Sequence, residues 1–166
     1  MRLIILNGTK RRRDMGRTIF QYLGDMFDLP KDFRVTLHFV HCSNSAGTCM
    51  SSGPKAFRIE ISDRSDVETT IRLLVHEFTH LMQTLVNKCI TDAAGVTYYN
   101  GKRYSKKYIN PECIEYWYAP WEIDARGMEN TIIDLISYRL NICPAYLTWH
   151  NCGSLITALK GNRVRK

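Results

Sequence analysis

The chain has 166 residues, of which 45% are hydrophobic and 23% charged, and it carries a net charge of +7. That length fits one domain, 1–166, with a core that needs no staples. Both fractions are those of an ordinary globular protein, and no window approaches a transmembrane span.

The opening, MRLIILNGTKRRR, is not a secretion signal, because its apolar run is short and the basic cluster follows it. An intracellular, cytoplasmic protein is expected, placed in a host cytoplasm or a virion if the source is a phage or virus. Within it, RLIIL (2–6) has the composition of a buried strand. In DMGRTIFQYLGDMFDL (14–29), Met15, Ile19, Tyr22, Leu23, Met26 and Phe27 recur at helical spacing, and Pro30 stops the pattern. FRVTLHFV (33–40) alternates Phe33, Val35, Leu37 and Phe39, the mark of a half-buried strand. The Ser- and Gly-rich stretch 41–56 reads as a loop, and FRIEIS (57–62) as the next strand, with Phe57, Ile59 and Ile61 on one face.

A long helix follows. Ser65 and Glu68 have capping-box spacing, and Ile71, Leu74, Val75, Phe78, Leu81, Met82, Leu85 and Val86 cover more than half its circumference. GVTYYNGKRYSKKY (95–108) reads as a hairpin turning at Asn100-Gly101. Pro120 opens another helix, whose buried side is expected to hold Ile123, Ile132, Ile133, Leu135, Ile136 and Leu140. Pro144 begins a last helix ending near Lys160, before a flexible basic tail at 160–166. The order of elements predicts an α+β fold, a small mixed sheet packed on helices.

Six cysteines lack C-x-x-C spacing and a secreted context, so free thiols are expected, with Cys42–Cys49 the one plausible bridge. Cys143, His150 and Cys152 match no usual zinc spacing. The basic residues cluster at Arg11, Arg12 and Arg13 and in the tail. They favour acidic partners, nucleic acid included, but no nucleic-acid motif accompanies them.

The chemistry is concentrated in HEFTH (76–80), about three turns into the long helix. Histidines four apart lie on one face, so His76 and His80 can direct two nitrogens at one zinc ion. Glu77 is rotated by about 100° from His76 and can reach a water on the open side of the metal as general base. Zinc would lower the pKa of that water to near 7. A histidine on a buried helix is usually a core residue. A glutamate in the same apolar turn is costly without a partner, and a metal site accounts for all three together.

Catalytic zinc needs a third protein ligand. Gln83 and Val86 stand where the metzincins place Gly and His, so that arrangement is excluded. His150 is the only later histidine. The downstream acids are Asp92, Glu112, Glu115, Glu122, Asp124, Glu129 and Asp134. Glu122 fits best, close behind Pro120 and Trp121 with the small Ala125 one turn on, and Glu129 is its rival.

HEFTH followed by YWYAPWEIDAR resembles small zinc metallopeptidases of the gluzincin clan, the ImmA/IrrE-like and phage or viral minigluzincin-type domains. The resemblance covers roughly residues 57–140. It implies a zincin-like fold, one Zn2+ held by His76, His80 and Glu122, and Glu77 as the catalytic base. Thermolysin-like enzymes have an Asp four residues after the ligand Glu, and this chain has Arg126 there. Asp124 and Glu129 are the candidates to replace it. The resemblance also implies that FRIEIS forms the edge strand that pairs with an extended peptide, and Tyr116 is the first choice for a hydrogen-bond donor to the transition state. The expected activity is peptide-bond hydrolysis of a protein or peptide substrate. The alternatives are an SprT-like, DNA-associated protease and a zinc-binding regulatory or virion protein without peptidase activity.

Overall fold

The computed structural model describes residues 1–41, 47–86, 88–92, 94–140 and 152–161. Strand β1 (Arg2–Leu6) leads through Asn7 and Gly8, both at positive φ, into helix α1 (Lys10–Met26). The Thr9 side chain caps that helix by accepting from the Arg12 amide, so it starts one turn before its apolar pattern does. It ends at Phe27, ahead of Pro30, with Asp28 in the left-handed region.

Strands β2 (Arg34–Val40), β3 (Gly47–Gly53) and β4 (Ala56–Ser62) complete a mixed sheet ordered β1-β2-β4-β3. β1, β2 and β4 are parallel, and β3 runs antiparallel to β4. The register sets Val35 beside Phe57, Leu37 beside Ile59 and Phe39 beside Ile61, so one face of the central strands is continuously apolar and buried. α1 lies close on that face. A Cβ on Gly16 would sit 2.6 Å from Leu37 Cδ2, so any larger residue here would have to displace the buried Leu37 side chain.

Three expectations for the sheet are corrected. The stretch 41–56 is not all loop, because 47–53 form β3, whose Ser and Gly residues gain their order from pairing with β4. FRIEIS is therefore an inner strand, and β3 is the edge. RLIIL is only half-buried, as an outer strand would be.

Helix α2 (Val67–Leu85) packs over the sheet. Its cap is Asp66, whose carboxylate accepts from the Thr69 amide at 2.7 Å, and not the expected Ser65–Glu68 box. Glu68 instead pairs with Arg72 one turn on. Ile71, Leu74, Val75, Phe78 and Leu81 are buried in the main core. Each buried side chain of this size contributes about 1.5–3 kcal/mol, which holds the helix in place although it carries Glu77 and Gln83 inside with it. Val86, just past the helix end, is exposed.

A second sheet, β5 (Cys89–Thr91), β6 (Thr97–Tyr99) and β7 (Lys102–Tyr104), contains the expected hairpin. Asn100 and Gly101 both have positive φ, as the tight turn requires. A short helix α3 (Ile114–Trp117) precedes α4 (Pro120–Leu140), which does start at Pro120. Ile132 and Ile133 are buried and Leu135 is partly so, but Ile123 is exposed, in a surface depression that it lines with Met82 and Val86. The side chains of Ile136 and Leu140 lie outside the described residues. α5 (Gly153–Gly161) covers α1. The proposed start of that helix at Pro144, and most of the tail at 160–166, are outside the described residues too. Among those described, no helix is long and apolar enough to cross a membrane. The fold is a mixed α+β arrangement with a small mixed sheet.

Candidate metal centre

α2 and α4 run antiparallel, as three contacts in reverse order show. Arg72 donates to Asn130, His76 to Glu129, and Gln83 to the backbone carbonyl of Trp121. Glu122, Ala125 and Glu129 share the face of α4 turned to these groups, and Ala125 is fully buried among them.

His76, His80 and Glu122 converge so that one ligand atom from each lies within 4.8 Å of the others. His76 Nε2 is 2.9 Å from His80 Nε2 and 3.2 Å from Glu122 Oε2, and His80 Nε2 is 3.4 Å from Glu122 Oε1. Ligand atoms at zinc's ~2.0–2.1 Å bond length stand about 3.3 Å apart in a tetrahedron, so each of these separations is of the size that a shared ion requires, with the two imidazoles facing different oxygens of Glu122.

The outer nitrogens settle how the rings are protonated. His76 Nδ1 donates to Glu129 Oε1 at 2.7 Å, and His80 Nδ1 donates to Gln83 Oε1 at 2.9 Å. With both Nδ1 atoms used as donors, both Nε2 lone pairs point inward beside a carboxylate. Three electron-rich atoms facing one another need a cation between them. Without a metal, a proton does that work. Burial opposes a charged His76, but its hydrogen bonds to Glu122 and Glu129 and the nearby Glu77 outweigh this and raise its pKa to about 9. Burial alone would raise Glu122 as well, but His76 and His80, facing its two oxygens and holding a proton between them, keep it at about 2. The donor set therefore fits a metal ion.

Glu77 is 4% exposed, and its pKa is lifted to about 7 by burial, which the two imidazoles only partly offset. The edge strand lies directly against it, for a Cβ on Gly47 would come within 2.7 Å of Glu77 Oε1. Tyr116, on α3, faces the Glu122 carboxylate. Burial, together with that charge and hydrogen bond, raises its pKa.

A cleft of about 600 Å³ opens onto these groups. Gly47, Thr48 and Cys49 of β3 wall one side, and Ile90, Ile109 and Tyr116 the other. The structure thus brings together His76, Glu77, His80, Glu122 and Tyr116 around one cleft. Glu129, the rival third ligand, instead holds the back of His76. Asp124 points elsewhere, to Lys88 at 2.6 Å and to the Tyr99 hydroxyl. Arg126 donates to the Trp117 carbonyl.

Sequence reasoning missed Gln83, which it used only to exclude a third histidine. Its position three residues after His80, on the same face, was the available signal. His150, Cys143 and Cys42 lie outside the described residues, and so does the second cysteine–histidine site. The expected Cys42–Cys49 bridge is not formed, because Cys49 is a free thiol. Cys49, Cys89, Cys113 and Cys152 are free thiols. No protein-family profile matches this chain, and comparison with curated proteins and with solved structures returns no match.

Proposed function

We propose that this chain is a zinc-dependent metallopeptidase of zincin-like fold that hydrolyses peptide bonds. The observation that carries the reading is the open cleft in which two histidine Nε2 atoms and a Glu122 oxygen face one another beside the buried Glu77. A purely structural site has no use for Glu77 or for an open side. The donor order, HEFTH on one helix and a glutamate on a second helix downstream, also supports the resemblance to gluzincins. Glu122 as third donor favours that arrangement over the SprT-like one, which needs a further histidine.

His76, His80 and Glu122 would hold the ion. When bound, zinc supplies a Lewis acid and makes hydroxide available near neutral pH. Glu77 takes the proton from the attacking water and returns it to the leaving amine. Its burial beside the donor atoms and against the cleft places the carboxylate where both halves of that task occur. The Tyr116 phenol stays protonated and offers a hydrogen bond to the oxygen that gains charge. The open edge of β3 offers backbone groups to an extended peptide.

Metal analysis of the wild type beside His80→Ala and Glu122→Ala tests the site. About one zinc per chain in the wild type and loss in both variants is expected. Full zinc in Glu122→Ala would remove it from the ligand set. Glu77→Gln should keep zinc and lose cleavage of a casein or peptide-library substrate. An active Glu77→Gln protein would refute the mechanism.

A further inference from the structure

A second cavity, of about 550 Å³, lies at the other end of the edge strand. Arg2, Lys31, Arg34 and Lys55 line it, with Asp32 as its single carboxylate. Lys55 pairs with Asp32. Among the described residues no ion pair engages Arg2, Lys31 or Arg34, and the β1–β2 register sets Arg2 directly beside Arg34. The one carboxylate in the lining, Asp32, is paired with Lys55, so Arg2, Lys31 and Arg34 leave the cavity net positive, and an incoming anionic group relieves their repulsion.

The two cavities share a strand. Gly47, Thr48, Cys49 and Ser51 line the metal cleft, and Ser52 and Gly53 line the cationic cavity. Among the described residues β3 pairs only with β4, so no strand lies on its other side. At about 3.3 Å per residue, Gly47 to Gly53 spans roughly 20 Å. A polypeptide added to this edge from the metal cleft therefore reaches the cationic cavity about five to seven residues from the bond under attack.

The direction follows from the better ladder. Antiparallel pairing is the more stable per residue. β3 runs from the metal cleft to the cationic cavity, so an antiparallel substrate runs from the cavity to the cleft. Its N-terminal part then occupies the cavity.

Resting on the peptidase reading, we infer that Arg2, Lys31 and Arg34 form a specificity subsite for acidic side chains lying about five to seven residues before the cleaved bond of a substrate strand paired with β3. Its cations are solvated, so each pair adds little alone, and together they bias selection by about tenfold. A nucleic-acid backbone would also meet these cations. The continuity with the metal cleft along an open strand edge favours a polypeptide.

The test has two arms. In the first, zinc-loaded wild type, Lys31→Glu/Arg34→Glu and the control Arg17→Glu digest a proteome-derived peptide library, and cut sites are mapped by mass spectrometry. Wild type and Arg17→Glu should show Asp and Glu enriched five to seven residues before the cut, and the double variant should enrich Lys and Arg there. Cuts without that enrichment, or enrichment unchanged in the double variant, overturn the subsite and leave the peptidase reading standing. An absence of cuts in wild type counts against the peptidase reading, and the second arm then decides the subsite. In it, Glu77→Gln protein binds a fluorescent Glu-rich peptide and its Lys-rich counterpart, with and without the charge-reversed pair. The Glu-rich peptide should bind about tenfold tighter, and the reversal should abolish this. Equal binding, or displacement of the peptide by a single-stranded oligonucleotide at lower concentration than by unlabelled peptide, overturns it.

Discussion

Gln83 joins His80 to the neighbouring helix. Its side-chain oxygen accepts from His80 Nδ1 at 2.9 Å, and its nitrogen donates to the Trp121 carbonyl at 3.0 Å, one residue before Glu122. One buried amide therefore fixes the rotation of one candidate ligand and the position of another. Gln83→Ala should lower zinc affinity by about 10–100-fold, the usual loss when a partner behind a ligand is removed. Competition with a fluorescent chelator would measure this. Gln83→Glu keeps an acceptor for His80 but loses the donor to Trp121, so it should fall between the two. Equal affinity in all three proteins would show that Gln83 does not position the site.

Glu122 and Glu129 lie two turns apart on one helix face, and the structure assigns them to opposite nitrogens of His76. The two losses should therefore differ in kind. Glu122→Ala removes a donor atom and should abolish stoichiometric zinc. Glu129→Ala leaves the donor set intact and should weaken binding by about 10–100-fold without abolishing it. Zinc titration followed by calorimetry separates the two, and loss of all binding in Glu129→Ala would exchange their roles.

This pair also shows what could be read in advance. His76 and His80 are legible because helical spacing alone brings them together, and the motif dictates Glu77. Glu122 and Glu129 are equivalent by periodicity, and only the packing of α4 on α2 tells them apart. β3 was illegible for a different reason. GTCMSSG has neither apolar alternation nor β-branched content beyond Thr48, and its strand conformation comes from pairing with β4. Sheet order is a tertiary property, so FRIEIS could not be placed as an inner strand from its own pattern. Asp66 replaced Ser65 as the helix cap because both residue types can cap and they are adjacent.

Gly47 and Glu77 make the next prediction. A methyl group on Gly47 would stand 2.7 Å from Glu77 Oε1, and Glu77 is too buried to swing aside freely. Gly47→Ala should therefore displace the carboxylate and lower kcat by about tenfold or more, since small misplacements of a catalytic group are costly. Zinc content should be unchanged, because Gly47 touches no ligand atom among those described. A variant with wild-type kcat would mean that Glu77 tolerates the shift, or that it does not act on the water.

The metal-free protein should respond to pH in a definite direction. The folded-state pKa values of His76 and Glu77 are both raised, to about 9 and about 7, above ordinary values of 6.5 and 4.5. Between pH 4.5 and pH 9 the folded state thus binds more protons than the unfolded chain, so stability falls as pH rises through this window. Glu122, held at about 2, has the opposite sign, and its contribution is lost only in acid, below pH 4.5. Zinc competes with the proton held among His76, His80 and Glu122, so its apparent affinity should rise over the range in which stability without metal declines. Thermal melts at pH 6 and pH 9, with chelator and with zinc, check both slopes. The zinc-induced increase in Tm should be larger at pH 9. An increase that is larger at pH 6 would show that the cation held between the three donors is not exchanged for zinc.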